Sequence, residues 1–311
     1  MEYKTKVAIV YVVGLFMEIM DTTIVNVALP TLARDFGVGT DRIEWVVLGY
    51  LLSLAVWIPA SGWLGDRFGT KRVFLFALTT FTSASALCGL AGSLDQLIAF
   101  RVLQGVGGGM LTPVGAAMLY RAYPLAERAR AATAVIGVAV VAPATGPVLG
   151  GLIVDTISWR WIFYVNVPLG LTAVVAGAVL LREHREPTAG SFDLAGFLTS
   201  AAALTLTVYG LSEGPRRGWT DPVVVTALAV ALVAGIVLVW VETHRSAPML
   251  DLSLLGERLF RQSNLVGVAT YGGFVGLLFV FPLYLQSLRG FSALDSGLTQ
   301  IPQAIGVMLS S

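Results

Sequence analysis

Long apolar runs, broken by short stretches that collect the charge, make up almost the whole chain. Runs of spanning length fall at about 7–29, 44–64, 73–92, 97–120, 131–153, 162–181, 193–213, 221–243, 263–287 and 296–311. Most approach the roughly 20 residues that an α-helix needs to cross the hydrocarbon of a bilayer. In lipid, every backbone N–H and C=O must be satisfied within the protein, so runs of this length predict helices. The pattern predicts an all-α polytopic membrane protein of about ten spans. Lys4 and Lys6 precede the first run as they would in a signal peptide. That run is too long for one, contains Glu18 and Asp21, and is followed by no clear small-residue cleavage site, so it reads as a retained first span. The last run is short and reaches Ser310 and Ser311 without a charged flank, which predicts an N-terminal fragment of a longer protein.

Composition narrows the class. Hydrophobic residues make up 56% of the chain and charged residues 13%, against about 25% charged in soluble domains. The mean hydropathy is +0.79. A net charge of +1 excludes the electrostatic footprint of a nucleic-acid binder. The single cysteine, Cys88, excludes an internal disulfide and a cysteine-rich metal centre. His184 and His244 both fall in charged connectors, so neither a metal site nor a histidine relay is expected, and no metal or organic cofactor is predicted. Lys and Arg in short loops gather on the side that holds the N-terminus: thirteen of the twenty lie there and six on the other side. By the positive-inside rule that side is cytoplasmic, which predicts a multi-pass protein of the cytoplasmic (inner) membrane with its N-terminus inside.

The polar connectors divide the chain. The most polar, at 182–192, ends a group of six spans, and a second, at 244–262, follows two spans with few polar groups. The expected organisation is a six-span bundle at 1–186, an inserted pair of lipid-facing spans at 187–250, and two further spans at 251–311.

Several polar groups inside the spans are candidates for chemistry. Glu18 and Asp21 lie three residues apart near the middle of the first span. Lipid does not accommodate both ionised, so one of them is suited to load and release a proton. Asp21 is read first as that carrier and Glu18 second; the alternative for either is a structural carboxyl bonded to Thr22, Thr23 or Asn26, or paired with Arg101. Arg101 and Gln104 share a face of the fourth span. A charge there costs about 2.5–3.5 kcal/mol unless it finds a buried partner or snorkels to the interface. Gly105 and Gly109 add a G-x-x-x-G contact face. The stretch GWLGDRFGTKRVFL at 62–75 reads as a tight connector in which Gly62, Gly65 and Gly69 permit a reversal. Asp66, Arg67, Lys71 and Arg72 there form a candidate gate, with Asp66 capping a helix or pairing with an arginine. In GVAVVAPATGPVLGG at 137–151, Ala142, Gly146 and Gly150 continue a face begun by Ala134, smooth enough for close helix approach. Pro143 and Pro147 each remove a backbone donor and bend the helix. At 158–170, SWRWIFYVNVPLG places Trp159, Trp161 and Tyr164 as expected interfacial anchors, with Asp155 and Arg160 as an expected pair.

These stretches together resemble a known family. DTTIVNVALP, the 62–75 loop, RVLQGVGGGMLTP at 101–113, APATGPVLGG, SWRWIFYVNVPLG and FDLAGFL at 192–198 occur in the order found in the fourteen-span drug:proton antiporters, the EmrB/QacA branch of the major facilitator superfamily. The resemblance implies two six-span bundles with two spans inserted between them and a substrate site near the midplane. It implies proton-coupled export of hydrophobic or cationic drugs by alternating access, with protons as the coupling ion. Asp21, Glu18 and Arg101 would serve proton coupling. Gly62, Asp66, Arg67, Gly69, Lys71 and Arg72 would form a cytoplasmic gate. Gly137, Pro143, Gly146, Pro147, Gly150 and Gly151 would form the antiporter motif, and Asn26 and Gln104 would line the substrate pocket. The implied partners are a small substrate and the lipid bilayer, and the expected state is a monomer. Export of one endogenous metabolite, lipid or siderophore, and a truncated non-transporting membrane protein, are the alternatives. No nucleophile–base pair or metal-ligand spacing points to an enzyme.

Overall fold

The computed structural model describes residues 2–186, 190–245, 248–291, 299 and 302. The tenth predicted span, at 296–311, therefore lies outside the described residues, apart from two positions. The described chain is helical almost throughout. Its helices are α1 (Tyr3–Phe36), α2 (Thr40–Ile43), α3 (Trp45–Phe68), α4 (Thr70–Leu90), α5 (Leu94–Ala122), α6 (Arg128–Thr156), α7 (Trp161–Tyr164), α8 (Asn166–Leu180), α9 (Leu194–Arg217), α10 (Pro222–His244) and α11 (Arg258–Arg289). Among the described residues, eight helices are long and apolar enough to cross a bilayer, and they match the first eight predicted spans. The ninth predicted run falls within α11. We call the end of the bundle where α1 begins proximal and the other end distal.

The bundle is ordered by stripes of small and buried residues. Along α1, Val7, Tyr11, Gly14, Glu18, Asp21, Val25, Ala28 and Leu32 are buried. Their spacing alternates strictly between four and three, the seam that keeps one face of a helix on its neighbours. Both acids sit on this seam. The glycines of α5 work on two faces. A Cβ on Gly105 would lie 2.5 Å from the Tyr50 carbonyl oxygen and one on Gly109 2.5 Å from that of Leu54, both on α3. A Cβ on Gly107 would lie 2.6 Å from the Phe81 backbone nitrogen on α4. Lipid provides no hydrophobic drive for helices to associate, so such close backbone packing is what holds α5 between α3 and α4.

The connector expected at 62–75 is much shorter than its glycines suggest. Helix α3 continues through Gly62 and Gly65 to Phe68, and Gly69 alone makes the turn into α4, at φ +102°. Packing overrides glycine's weak helix propensity here: Gly65 faces Thr70 and Val114, whereas a Cβ on Gly62 would meet nothing. Helix α6 likewise runs unbroken through Pro143 and Pro147. Its small-residue face meets α1 within the same bundle. A Cβ on Gly146 would overlap the Thr23 hydroxyl and lie 3.1 Å from the Ile24 backbone nitrogen, and one on Gly150 would lie 3.1 Å from the Ile24 carbonyl oxygen. Ala142 is fully buried on that face, but Ala134, two turns earlier, is exposed. Gly137 and Gly151 have open space where a Cβ would be.

Helices α9 and α10 pack on each other, and α9 packs on α3. The pair is therefore not purely lipid-facing, contrary to expectation. Aromatic contacts join it to α3: Trp45 with Tyr209 (6.1 Å between centroids), Trp57 with Phe197 (5.4 Å) and Trp63 with Phe192 (4.9 Å). The Trp63 indole N–H also donates to the Gly190 carbonyl at 2.8 Å. At the distal end Arg216 pairs with Asp41 at 2.8 Å. Helix α11 packs on the short turn Leu252–Gly256 and is otherwise largely exposed over its described side chains.

The α1–α6 packing makes a paired prediction. Gly137→Ala should be neutral or stabilise by up to about 1 kcal/mol, because alanine is the better helix former and has room. Gly146→Ala should destabilise by about 1–3 kcal/mol through overpacking against α1. Thermal unfolding of the purified chain in detergent measures both, and equal effects would contradict the seam.

Candidate functional site

The seam of α1 carries Asp21 into the most buried part of the bundle, where α3, α4, α5 and α8 converge. Three turns of α5 supply the opposing face: Arg101, Gln104, Gly108 and Thr112 recur at helical spacing. Asp21, Arg101, Gln104 and Asn166 are each 0% exposed. Arg101 Nη1 contacts Asp21 Oδ2 at 2.5 Å. Gln104 Nε2 and Asn166 Nδ2 both donate to Asp21 Oδ1, at 2.9 and 2.7 Å. The Asp21 carboxylate thus receives three donors from two helices. Arg101 is held in turn: Nη1 donates to Gln104 Oε1 at 2.8 Å, and Nε donates to the Val46 carbonyl at 3.1 Å. Its guanidinium also lies over the Tyr50 ring, 4.1 Å from the centroid. Such stacking suits a weakly hydrated, delocalised cation inside a protein.

Outside this first ring, Asn166 also donates to Ser85 Oγ at 3.1 Å, and Ser85 donates to the Phe163 carbonyl at 2.9 Å. The Cys88 thiol approaches Gln104 Oε1 at 3.7 Å. Arg101 Nη2, the Tyr50 hydroxyl, Asn166 Oδ1 and Ser53 Oγ are buried without a hydrogen-bond partner. Glu18, one turn nearer the proximal end, is placed differently. Its Oε2 accepts one hydrogen bond, from Thr112 Oγ1 at 2.7 Å, and no ion pair reaches it among the described residues. It is 8% exposed, where Asp21 is fully enclosed.

The arrangement resolves the alternatives left by the sequence. Arg101 does not snorkel; it is sequestered with Asp21. Gln104 belongs to the same cluster. Asn26 does not: it is exposed, because five helical residues carry it about 140° around α1 from Asp21. Asn166, Ser85, Tyr50 and Thr112 complete the site and were not singled out from the sequence. Asn166 sits in the apolar stretch NVPLG, and only its place in the first turn of α8 brings it to Asp21.

A second cluster closes the proximal end. Asp66 pairs with Arg121, at the end of α5, at 3.2 Å, with both side chains about two-fifths exposed. It caps no helix. Glu183, in the segment after α8, does so: its Oε1 accepts from the Lys71 backbone N–H at 3.0 Å, at the start of α4. The same carboxylate lies 3.7 Å from Arg72 Nε, and a Cβ on Gly69 would overlap it. Lys71 Nζ donates to the Ala178 carbonyl near the end of α8 at 2.7 Å. The Thr70 N–H donates to the His184 carbonyl and the Glu186 N–H to the Asp66 carbonyl. Arg67 is exposed. At the distal end Trp159 is buried and donates to Asp35 Oδ2 at 2.7 Å, so it is no interfacial anchor. Arg160 stacks on Trp159 and reaches Asp35 at 3.8 Å, not Asp155.

Comparison with known proteins agrees with this architecture. The chain is 38% identical over 307 residues to the Multidrug resistance protein B homolog of Mycobacterium tuberculosis, covering 97% of this chain and 56% of that protein. It is 35% identical over 308 residues to the Uncharacterized MFS-type transporter YhcA of Bacillus subtilis, covering 97% of this chain and 57% of that one. The chain thus spans little more than half the length of these relatives. A solved structure of the peptide transporter POT in complex with sulfate superposes with a TM-score of 0.53 at 15% identity, covering 78% of this chain and 52% of that one. At that identity it speaks for the fold alone. The sequence model of the Major Facilitator Superfamily matches residues 11–311, and on that match the chain belongs to this superfamily of membrane transporters, not to an enzyme family.

Proposed function

We propose that the protein carrying this chain is a proton-coupled antiporter that exports hydrophobic or cationic compounds across the cytoplasmic membrane by alternating access. The relative named for multidrug resistance supports drug efflux. The antiporter-like stretch at 137–151 supports export over import. The observation that carries the coupling is the unequal placement of two carboxyls three residues apart. Asp21 is matched by an arginine and two amides, so its charge is already answered inside the bundle. Among the described residues Glu18 has one hydroxyl partner and no cation, so a proton is the means of neutralising it. Glu18 is therefore the carrier, and Asp21 with Arg101, Gln104 and Asn166 is the fixed post beside it.

In this reading α1 to α8 form the first six-span bundle, α9 and α10 the inserted pair, and α11 begins the second bundle. The proximal end faces the cytoplasm, in accord with the excess of Lys and Arg there. Glu18 takes a proton when the site opens outward. After inward opening the proton leaves and a substrate binds. Gly146 and Gly150 press on α1 at Thr23 and Ile24, directly beyond Asp21, and seal the seam between α1 and α6 inside the first bundle. Asp66, Arg121, Lys71, Arg72 and Glu183 tie the cytoplasmic ends of α3, α4, α5 and α8 in this conformation. The potential adds about 2.3 kcal/mol per charge per 100 mV to the driving force.

Two predictions follow from the full-length protein in energised vesicles. Glu18→Gln should leave the thermal midpoint close to wild type and abolish efflux driven by a pH gradient, while downhill exchange of a dye persists. Asp21→Asn should lower stability by about 3–5 kcal/mol, because it leaves Arg101 buried without its counter-charge. Undiminished gradient-driven efflux by Glu18→Gln would overturn the assignment. Separately, the half-exposed Asp66–Arg121 pair is worth no more than about 1 kcal/mol to stability. Asp66→Asn should therefore spare folding and change the transport rate, and exchanging the two charges should restore that rate. A rate indifferent to both changes would remove the pair from the gate.

A further inference from the structure

A second acidic site lies away from the Asp21 cluster, at the proximal end of the α9–α10 pair. Asp193 caps α9, with its Oδ1 accepting from the Gly196 N–H at 2.9 Å and ion-paired with Arg245 Nε at 3.3 Å. Glu242, in the last turn of α10, accepts from the Leu250 N–H through Oε2 at 3.0 Å. Asp193 is 2% exposed and Glu242 3%. The remaining oxygen of each, Asp193 Oδ2 and Glu242 Oε1, is buried with no hydrogen-bond partner. Both point into one notch. A Cβ on Gly196 would lie 2.6 Å from Asp193 Oδ2 and 2.5 Å from Glu242 Oε1. The two oxygens are thus no more than about 5 Å apart, close enough for one hard cation to contact both.

An unpartnered carboxylate oxygen inside a protein is costly, and two facing each other are costlier. Arg245 answers only the other oxygen of Asp193, and its side chain is 44% exposed. His244, beside Arg245 in sequence, turns its Nδ1 to the Trp240 carbonyl at 2.8 Å. Two carboxylates and one guanidinium leave a single negative charge in the notch. The carbonyl end of α10 favours a cation while the N–H end of α9, capped by Asp193, opposes it, so the two helix ends offset each other and the carboxylates decide the field. Hard oxygen donors select a hard cation, and one uncompensated charge selects a monovalent one.

We propose that Asp193 and Glu242 bind one alkali cation, sodium or potassium, above Gly196. The cation ties the proximal ends of α9 and α10 together, independently of the transport reading. Glycine is required at 196 because any side chain would fill the space between the two oxygens. The test is thermal unfolding of the purified full chain in lipid nanodiscs. NaCl or KCl is titrated against N-methylglucamine chloride at constant ionic strength, at two pH values. Wild type should show a saturable rise in midpoint with one of the alkali cations, lost in Glu242→Gln and in Gly196→Ala. Equilibrium binding of radiolabelled cation should saturate at one ion per chain. A wild-type midpoint indifferent to both cations overturns the proposal whether or not the variants fold. So does a midpoint that responds to pH alone, which would mean that the two carboxyls share a proton. A full response retained in Glu242→Gln overturns it as well.

Discussion

The buried ion pair between Asp21 and Arg101 sets the terms for the rest of this structure. Neither charge is tolerable alone in the middle of a membrane bundle, and the two come from helices eighty residues apart in sequence. Their meeting fixes the rotation of α1 and α5. Gln104 and Asn166 complete the carboxylate's hydrogen bonds and bring α8 to the same point. Ser85 extends the network to α4. A shift of one residue in any of these helices would strand a buried charge or amide, so the polar cluster specifies register where apolar packing alone would not.

The glycines make that meeting possible. Arg101 is enclosed only because Gly105, Gly107 and Gly109 allow α5 to lie directly against the backbones of α3 and α4. On the opposite flank Gly146 and Gly150 let α6 press on α1 one turn beyond Asp21. Close backbone approach and a sequestered ion pair are therefore one design. The first removes water and lipid, and the second needs their removal to be strong. Glu18 stands at the edge of this enclosure with a single hydroxyl partner among the described residues, and in the proposed reading that incompleteness marks it as the proton carrier.

Much of this was legible in the sequence, and the exceptions have physical reasons. The apolar runs give eight described spans because length and hydropathy are local properties. The pair of Asp21 and Arg101 is legible because two intramembrane charges of opposite sign demand each other. Asn166 is hidden because nothing apolar around it signals polarity, and its role exists only where three helices converge. Glu183 is hidden for a similar reason: a cap formed by a returning loop leaves no trace at the helix it caps. Asn26, offered as a hydrogen-bond partner of Asp21, is not one, since nearness along a helix is not nearness on its surface. Gly62 and Gly65 suggest a loop by type, yet packing keeps them helical. The inserted pair reads as lipid-facing because it holds few polar groups, and the aromatic contacts that join α9 to α3 leave no polar mark in the sequence.

The account stands or falls on which carboxyl carries the proton. Infrared difference spectroscopy of the purified protein, taken across a pH change, reports the carboxyl stretch of a buried acid as it gains its proton. The account predicts a band that disappears in Glu18→Gln and persists in Asp21→Asn. A band lost in Asp21→Asn and intact in Glu18→Gln would contradict it.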